Sequence, residues 1–174
     1  PKMTIRDSAV YSYWVSIRSQ GWKARGIDSP LRALEAAGYT DLYAYRFDWD
    51  EQADNWLFPF SKILGASHGA EIAFVMGSPM YGSIGDYMYP DTESAGEMTS
   101  RMMGAWGKFA REGSPGSVAG TPWPPFSRQA PHTMVLDSGD SVRIEAKELT
   151  LDRLLKTASA PSPLSAVERC LLTW

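Results

Sequence analysis

An α/β fold is predicted for this chain, and three observations predict it. They are a strand-like aromatic run at 42–49, a strongly periodic helix at 94–112, and a hairpin signal across 134–144. The order helix, strand, helix, hairpin, helix alternates as α/β folds do. It nevertheless supplies too few strands for a self-sufficient sheet, so the predicted sheet is incomplete.

The first clear element is a helix over 29–37. Ser29 reads as its N-cap, Pro30 sits at N1 where a missing N–H costs nothing, Leu31 and Leu34 share a face, and Gly38 follows as the C′ residue. In "LYAYRFDW", 42–49, Leu42, Ala44 and Arg46 alternate with Tyr43, Tyr45 and Phe47, which predicts a strand in mostly apolar surroundings. A loop rich in acidic and amide side chains follows. The segment "ILGASHGAEIAFVMG", 63–77, is a glycine-punctuated loop entering a short apolar stretch. Over 94–112, Ala95, Met98, Met102, Trp106, Phe109 and Ala110 recur at helical spacing, Ser94 and Glu97 form a capping box, and Gly113 ends the helix.

Prolines and glycines in "SPGSVAGTPWPPF" forbid a helix or a central strand there. Met134–Leu136 and 142–144 flank "DSGD" as a hairpin. A helix over 148–156 and another opened by a Ser165/Glu168 capping box complete the chain.

Composition removes several function classes. The 174 residues suffice for one ordinary domain, and 44% hydrophobic with 21% charged residues marks a globular protein. Seventeen Lys and Arg against twenty Asp and Glu give a net charge of −3, which is no basic footprint for nucleic acid. The longest apolar run, Ile72–Met76, is far short of the ~20 residues that a bilayer span needs, so no membrane span is expected. Pro1 fits a removed initiator Met, an earlier signal cleavage, or a cut through a longer chain. Cys170 is the one cysteine, which excludes an intrachain disulfide and a cysteine-based zinc site.

Two histidines are present. His132, in "APHT", reads as an ordinary surface loop residue. His68 is flanked by Gly65, Ala66, Ser67, Gly69 and Ala70, whose small side chains let another group approach the imidazole. Histidine is the side chain best suited to moving a proton near neutrality, and a structural and a catalytic His68 both fit this loop. His68-x-x-Glu71 could share a metal, but a competent site wants three or four ligands and no second cluster is present. "TESAG", 92–96, falls short of a G-x-S-x-G nucleophile elbow: Thr92 replaces the first glycine and no strand precedes it. Ser94 is better explained as a helix N-cap, and the Met and Trp stripe of that helix as core.

Five motifs, in order, resemble the type B carboxylesterase/cholinesterase family of α/β-hydrolases. "YAYRFDW" is similar to the strand before its catalytic histidine, and "LGASHGAEIAFVMG" to its G-x-x-H-G-x-E-x-x-F block. "SRMMGAWGKFAREGSP" resembles its W-x-x-F-A-x-x-G-x-P helix, "WPPF" its W-P turn, and "RCLLTW" its terminal helix. The match covers 38–174, with 1–37 only loosely alike. The resemblance implies one segment, 1–174, that is the C-terminal portion of an α/β-hydrolase fold.

The same resemblance implies that His68 is the general base of a Ser-His-Glu (or Asp) triad acting on a small carboxylic ester. Glu71 and Gly69 are carried over as supporting residues, with Glu71 either bonding backbone N–H groups at a helix start or bracing the histidine loop. No cofactor is implied. The family places serine, acid and oxyanion glycines before the histidine, and none of these matches here; Asp7, Asp28 and Glu35 lie in no family motif. The missing groups are therefore expected on upstream sequence lost by truncation or on an N-terminal companion chain, the expected partner, and the chain alone is expected to be inactive. A non-catalytic esterase-like binding or adhesion protein is the alternative, and the retained histidine block argues against it.

Overall fold

Aromatic and methionine side chains decide where the sheet sits. The computed structural model describes residues 3–80, 82–160, 162 and 164–172, and of residues 171 and 172 the backbone only; the end of the "RCLLTW" motif lies outside the described residues. Helix α1, Ser8–Lys23, opens the chain, capped by Asp7, whose carboxylate accepts the N–H groups of Ala9 and Val10 at 3.0 Å. One π turn, Ala24–Asp28, runs it directly into α2, Ser29–Ala36. Ser29 is thus not the predicted N-cap. Asp28 before it is already helical (φ −65°, ψ −40°), and Ser29 Oγ donates to the Ala24 carbonyl at 2.8 Å.

Strand β1 is Tyr45–Phe47, shorter than the predicted 42–49. The flanking backbone still bonds to its neighbours, Met134 N–H to Ala44 and Asp48 N–H to Leu136. Short helices α3, Phe60–Ile63, α4, Ile72–Met76, and α5, Gly85–Met88, lead to the long α6, Glu93–Glu112. A two-residue ladder follows, β2 Ser117–Val118 against β3 Thr121–Pro122. Then come β4, His132–Leu136, and β5, Arg143–Ala146, which form the predicted hairpin around a 3₁₀ turn, Gly139–Ser141. Helices α7, Leu151–Ser159, and α8, Ala166–Leu172, close the chain, and α8 carries the predicted reciprocal cap between Ser165 and Glu168.

The main sheet runs β1-β4-β5, with β1 parallel to β4 and β5 antiparallel to it. One face presents Phe47, Met134 and Leu136 to α4 and α6, where Phe74, Met98 and Met102 meet them. Helices α1, α7 and α8 pack together as a second helical group. Within it Asp28, 1% exposed, receives Lys23 Nζ at 2.7 Å and the Leu149 N–H at 2.8 Å, which joins the α1–α2 bend to the segment before α7. Strand β1 is an edge of the sheet, and an open cleft of about 1900 Å³ lies alongside it, walled by α1.

Two further expectations change. The cap of α6 is Thr92, extended at φ −126°, whose hydroxyl accepts the Ala95 N–H. Ser94, in the first turn, instead accepts the indole N–H of Trp49 at 2.8 Å, and Glu97 pairs with Arg101 instead of closing a capping box. The apolar stripe of α6 is core through Met102, but Phe109 is 46% exposed at its last turn and Ala110 is exposed as well.

Thr92→Ala should cost about 1 kcal/mol in urea unfolding, as a lost N-cap does. Ser94→Ala should cost about 1–3 kcal/mol, because it strands the buried Trp49 N–H. Equal stability of wild type and Ser94→Ala would show that the indole bond contributes nothing.

Candidate active site

The histidine loop is built by backbone turns. After α3 the chain reverses at Gly65 and again at Gly69, where φ is +87°, a value that L side chains rarely adopt. The Ala70 N–H bonds the Ser67 carbonyl at 3.0 Å, so His68 sits at the crest of a tight turn. Its imidazole is exposed at the cleft and meets the Trp22 ring of α1, with centroids 4.5 Å apart and planes inclined by 49°. A second tie holds α1 to the end of α3, where the loop begins: Tyr11 Oη donates to the Ile63 carbonyl at 2.6 Å.

Glu71 stands at the N-cap of α4 but makes no side-chain bond to the helix N–H groups. Instead it accepts a long 3.5 Å hydrogen bond from the Tyr45 phenol of β1. Its side chain thus reaches the sheet, and the Ala70 and Ile72 N–H groups are engaged by the Ser67 and Gly69 carbonyls. Burial, then the Glu71 charge and hydrogen bond, push the Tyr45 phenol up to about 12.

In the cleft wall, Arg46 bridges Asp48 and Glu145 at 2.7 Å each, tying β1 to β5 across β4. The Arg46 hydrogen bond chiefly holds Glu145 below the usual carboxylate range. Asp50 is pushed up, first by desolvation and then by the charges of Asp137, Glu51 and Asp48. Hydrogen bonds from Ser94 and Ser138 push Glu51 down.

Three upstream carboxylates serve structure: Asp7 caps α1, Asp28 pairs with Lys23, and Glu35 binds Arg128. Among the described residues no hydroxyl or carboxylate hydrogen-bonds the His68 ring, and no three metal-ligating side chains converge. None of the described helices is long and apolar enough to cross a membrane. His132 is not in a loop. It opens β4 opposite Ala146, with Nδ1 3.3 Å from the Pro125 carbonyl, because the pairing with β5 extends two residues further toward the N-terminus of β4 than the apolar run indicated.

Trp22 and its helix were missed by the sequence reading. The signal was available: Asp7 at a cap position, then Val10, Trp14, Ile17 and Gly21 at helical spacing. Aromatic and β-branched residues on that stripe have modest helix propensity and mask it.

The Carboxylesterase family profile matches residues 28–153, well over half of the sequence, and the chain belongs to that family. Acetylcholinesterase of Gallus gallus is 39% identical over 87 residues, covering 49% of this chain and 10% of its own length. Carboxylesterase 3 of Homo sapiens is 42% identical over 75 residues, 40% of this chain and 13% of its own. Among solved structures, the carboxylesterase of Geobacillus stearothermophilus superposes with a TM-score of 0.55 at 18% identity, over 82% of this chain and 30% of its own. An esterase from Clostridium hathewayi gives 0.53 at 20% identity, over 86% and 30%. Both share the α/β-hydrolase fold with this chain. The chain spans between 10% and 19% of the curated relatives it matches.

Tyr45 supplies a pH test. A phenol raised in the fold binds its proton more tightly folded than unfolded, so its contribution is complete below the unfolded value near ~10. Stability should therefore fall as pH rises from there through about 12. Tyr45→Phe should remove that part of the fall, read as the difference between two pH series of urea midpoints. Parallel series would show that Tyr45 is not the group responsible.

Proposed function

We propose that residues 1–174 form one segment, the C-terminal, histidine-bearing portion of a serine-dependent carboxylic ester hydrolase. The observation that carries this reading is His68: an exposed imidazole on a glycine-bounded turn, facing the cleft beside the free edge of β1. Family membership supports ester hydrolysis as the chemistry. In this reading His68 takes the proton from a serine hydroxyl as that oxygen attacks the ester carbonyl. The same proton then passes to the leaving alkoxide, which departs as the alcohol. Water repeats the cycle on the acyl-enzyme and releases the acid. Glu71, held by Tyr45, keeps the end of the histidine turn against the sheet.

Serine, triad acid and oxyanion donors come from upstream sequence or from an N-terminal companion chain that enters the cleft. The free edge of β1 offers backbone groups to a further strand, as a parallel sheet requires. The substrate is a small carboxylic ester.

The isolated 174-residue chain should hydrolyse p-nitrophenyl acetate no faster than free imidazole, since removing nucleophile and oxyanion hole removes the main sources of rate. With the upstream portion added, His68→Ala should lower kcat by about 10³-fold or more, while His132→Ala leaves it unchanged. Equal losses from both substitutions would overturn the assignment of the base. An organophosphate-sensitive rate from the pure chain would overturn the division of the site between segments.

A further inference from the structure

The turns at Gly65 and Gly69 shape the histidine loop, but turns alone do not aim a side chain. What fixes the loop to the body of the protein is Gln52, in the segment just after β1. This side chain is buried, 4% exposed, and its Nε2 donates to the Gly65 carbonyl at 2.8 Å. The acceptor settles the orientation of the amide, because the oxygen turned toward a carbonyl would repel it. Gln52 Oε1 is buried and has no protein partner among the described residues. A buried amide satisfied on one side only is worse for packing than a hydrophobe of the same shape. Packing therefore does not explain glutamine at this position, whereas a donor aimed at Gly65 does.

Gly65 is the pivot of the loop. Its φ is +49°, and an added Cβ would lie 3.3 Å from the Ser61 carbonyl oxygen and 3.7 Å from Asp50 Cβ. Its N–H bonds the Phe60 carbonyl at 3.2 Å, and its carbonyl accepts the Ser67 N–H at 2.7 Å besides the Gln52 amide. The Ser67 carbonyl in turn accepts the Ala70 N–H. The path from Gln52 to His68 is thus Gln52 Nε2, Gly65 carbonyl, Ser67 amide, and the turn whose crest is His68. We infer that Gln52 is a positioning residue for His68: it clamps Gly65 and so holds the imidazole against Trp22 at the cleft. The catalytic meaning of that positioning rests on the function proposed above; the clamp itself rests on the geometry.

The two histidines make the test clean, since the imidazole Cε1–H region of the proton–carbon spectrum contains two signals. In the 174-residue chain the Trp22 ring should shift the His68 signal, and Trp22→Ala should remove that shift and identify it. Gln52→Met, similar in volume and lacking the donor, should move the His68 signal toward the free-imidazole position and broaden it, with His132 unmoved. Both signals unchanged in Gln52→Met would overturn the clamp. A second measurement needs no Gln52 variant. The Gln52 side-chain amide protons should exchange with solvent much more slowly than those of exposed Gln129. Equal exchange would overturn the inference even where Gln52→Met fails to fold. In the assembled hydrolase the same substitution should lower kcat about 10- to 100-fold with KM unchanged, as small misplacements of a catalytic group do. A chain that shows the spectral changes without any assembled activity would keep the clamp and remove the hydrolase reading. Full activity of Gln52→Met beside a displaced His68 signal would remove the positioning role.

Discussion

The indole of Trp49 is the joint on which this structure depends. It lies fully buried at the end of β1, its ring 4.8 Å from Phe74 of α4, and its N–H bonded to Ser94 in the first turn of α6. Three elements meet at one side chain, and the bond has direction as well as area. A buried indole N–H without an acceptor is costly, so the start of α6 is held at one rotation relative to the sheet. Thr92 takes over as helix cap because Ser94 is already engaged. The chain leaves this joint at Asp50 and Glu51 and reaches Gln52 at once, so the anchor for the histidine loop begins within three residues of the buried indole.

The histidine loop is consequently held from two sides that differ in kind. Beneath it, Gln52 and Tyr45 attach the loop and Glu71 to the segment that carries β1. Above it, α1 lays Tyr11 and Trp22 over the same residues. The lower ties are part of a continuous aromatic core. The upper tie is a helix that walls the cleft beside β1 and is held here by the Tyr11 bond and by Trp22, itself 58% exposed. Several aromatic and aliphatic side chains are left in solvent, Trp56 at 81% and Leu155 at 49% among them.

Charge plays a supporting part. Arg46 spans Asp48 and Glu145, and Arg143 reaches the same Glu145. These groups are partly exposed, and such pairs contribute little stability singly. Their effect is on register, because one guanidinium bonded to both outer strands resists sliding of β1 against β5.

Much of this was legible in the residues themselves. The hairpin, the long helix and the reciprocal cap at Ser165 and Glu168 follow from alternation, helical spacing and capping chemistry, which are local properties. The glycine-bounded His68 turn was legible for the same reason, and five short motifs assigned the chain to its family. Whatever depended on distant partners was not legible. Ser29 looks like a cap until α1 is seen to run into it, and Ser94 looks like one until Trp49 claims its hydroxyl. The length of β1 is decided by which neighbours pair with it, not by its own aromatic run. Gln52 and Trp22 carry no motif, and each matters only because the fold sets it against the histidine loop. Local propensity sets the elements, and the partners that bury or bond a side chain set its role.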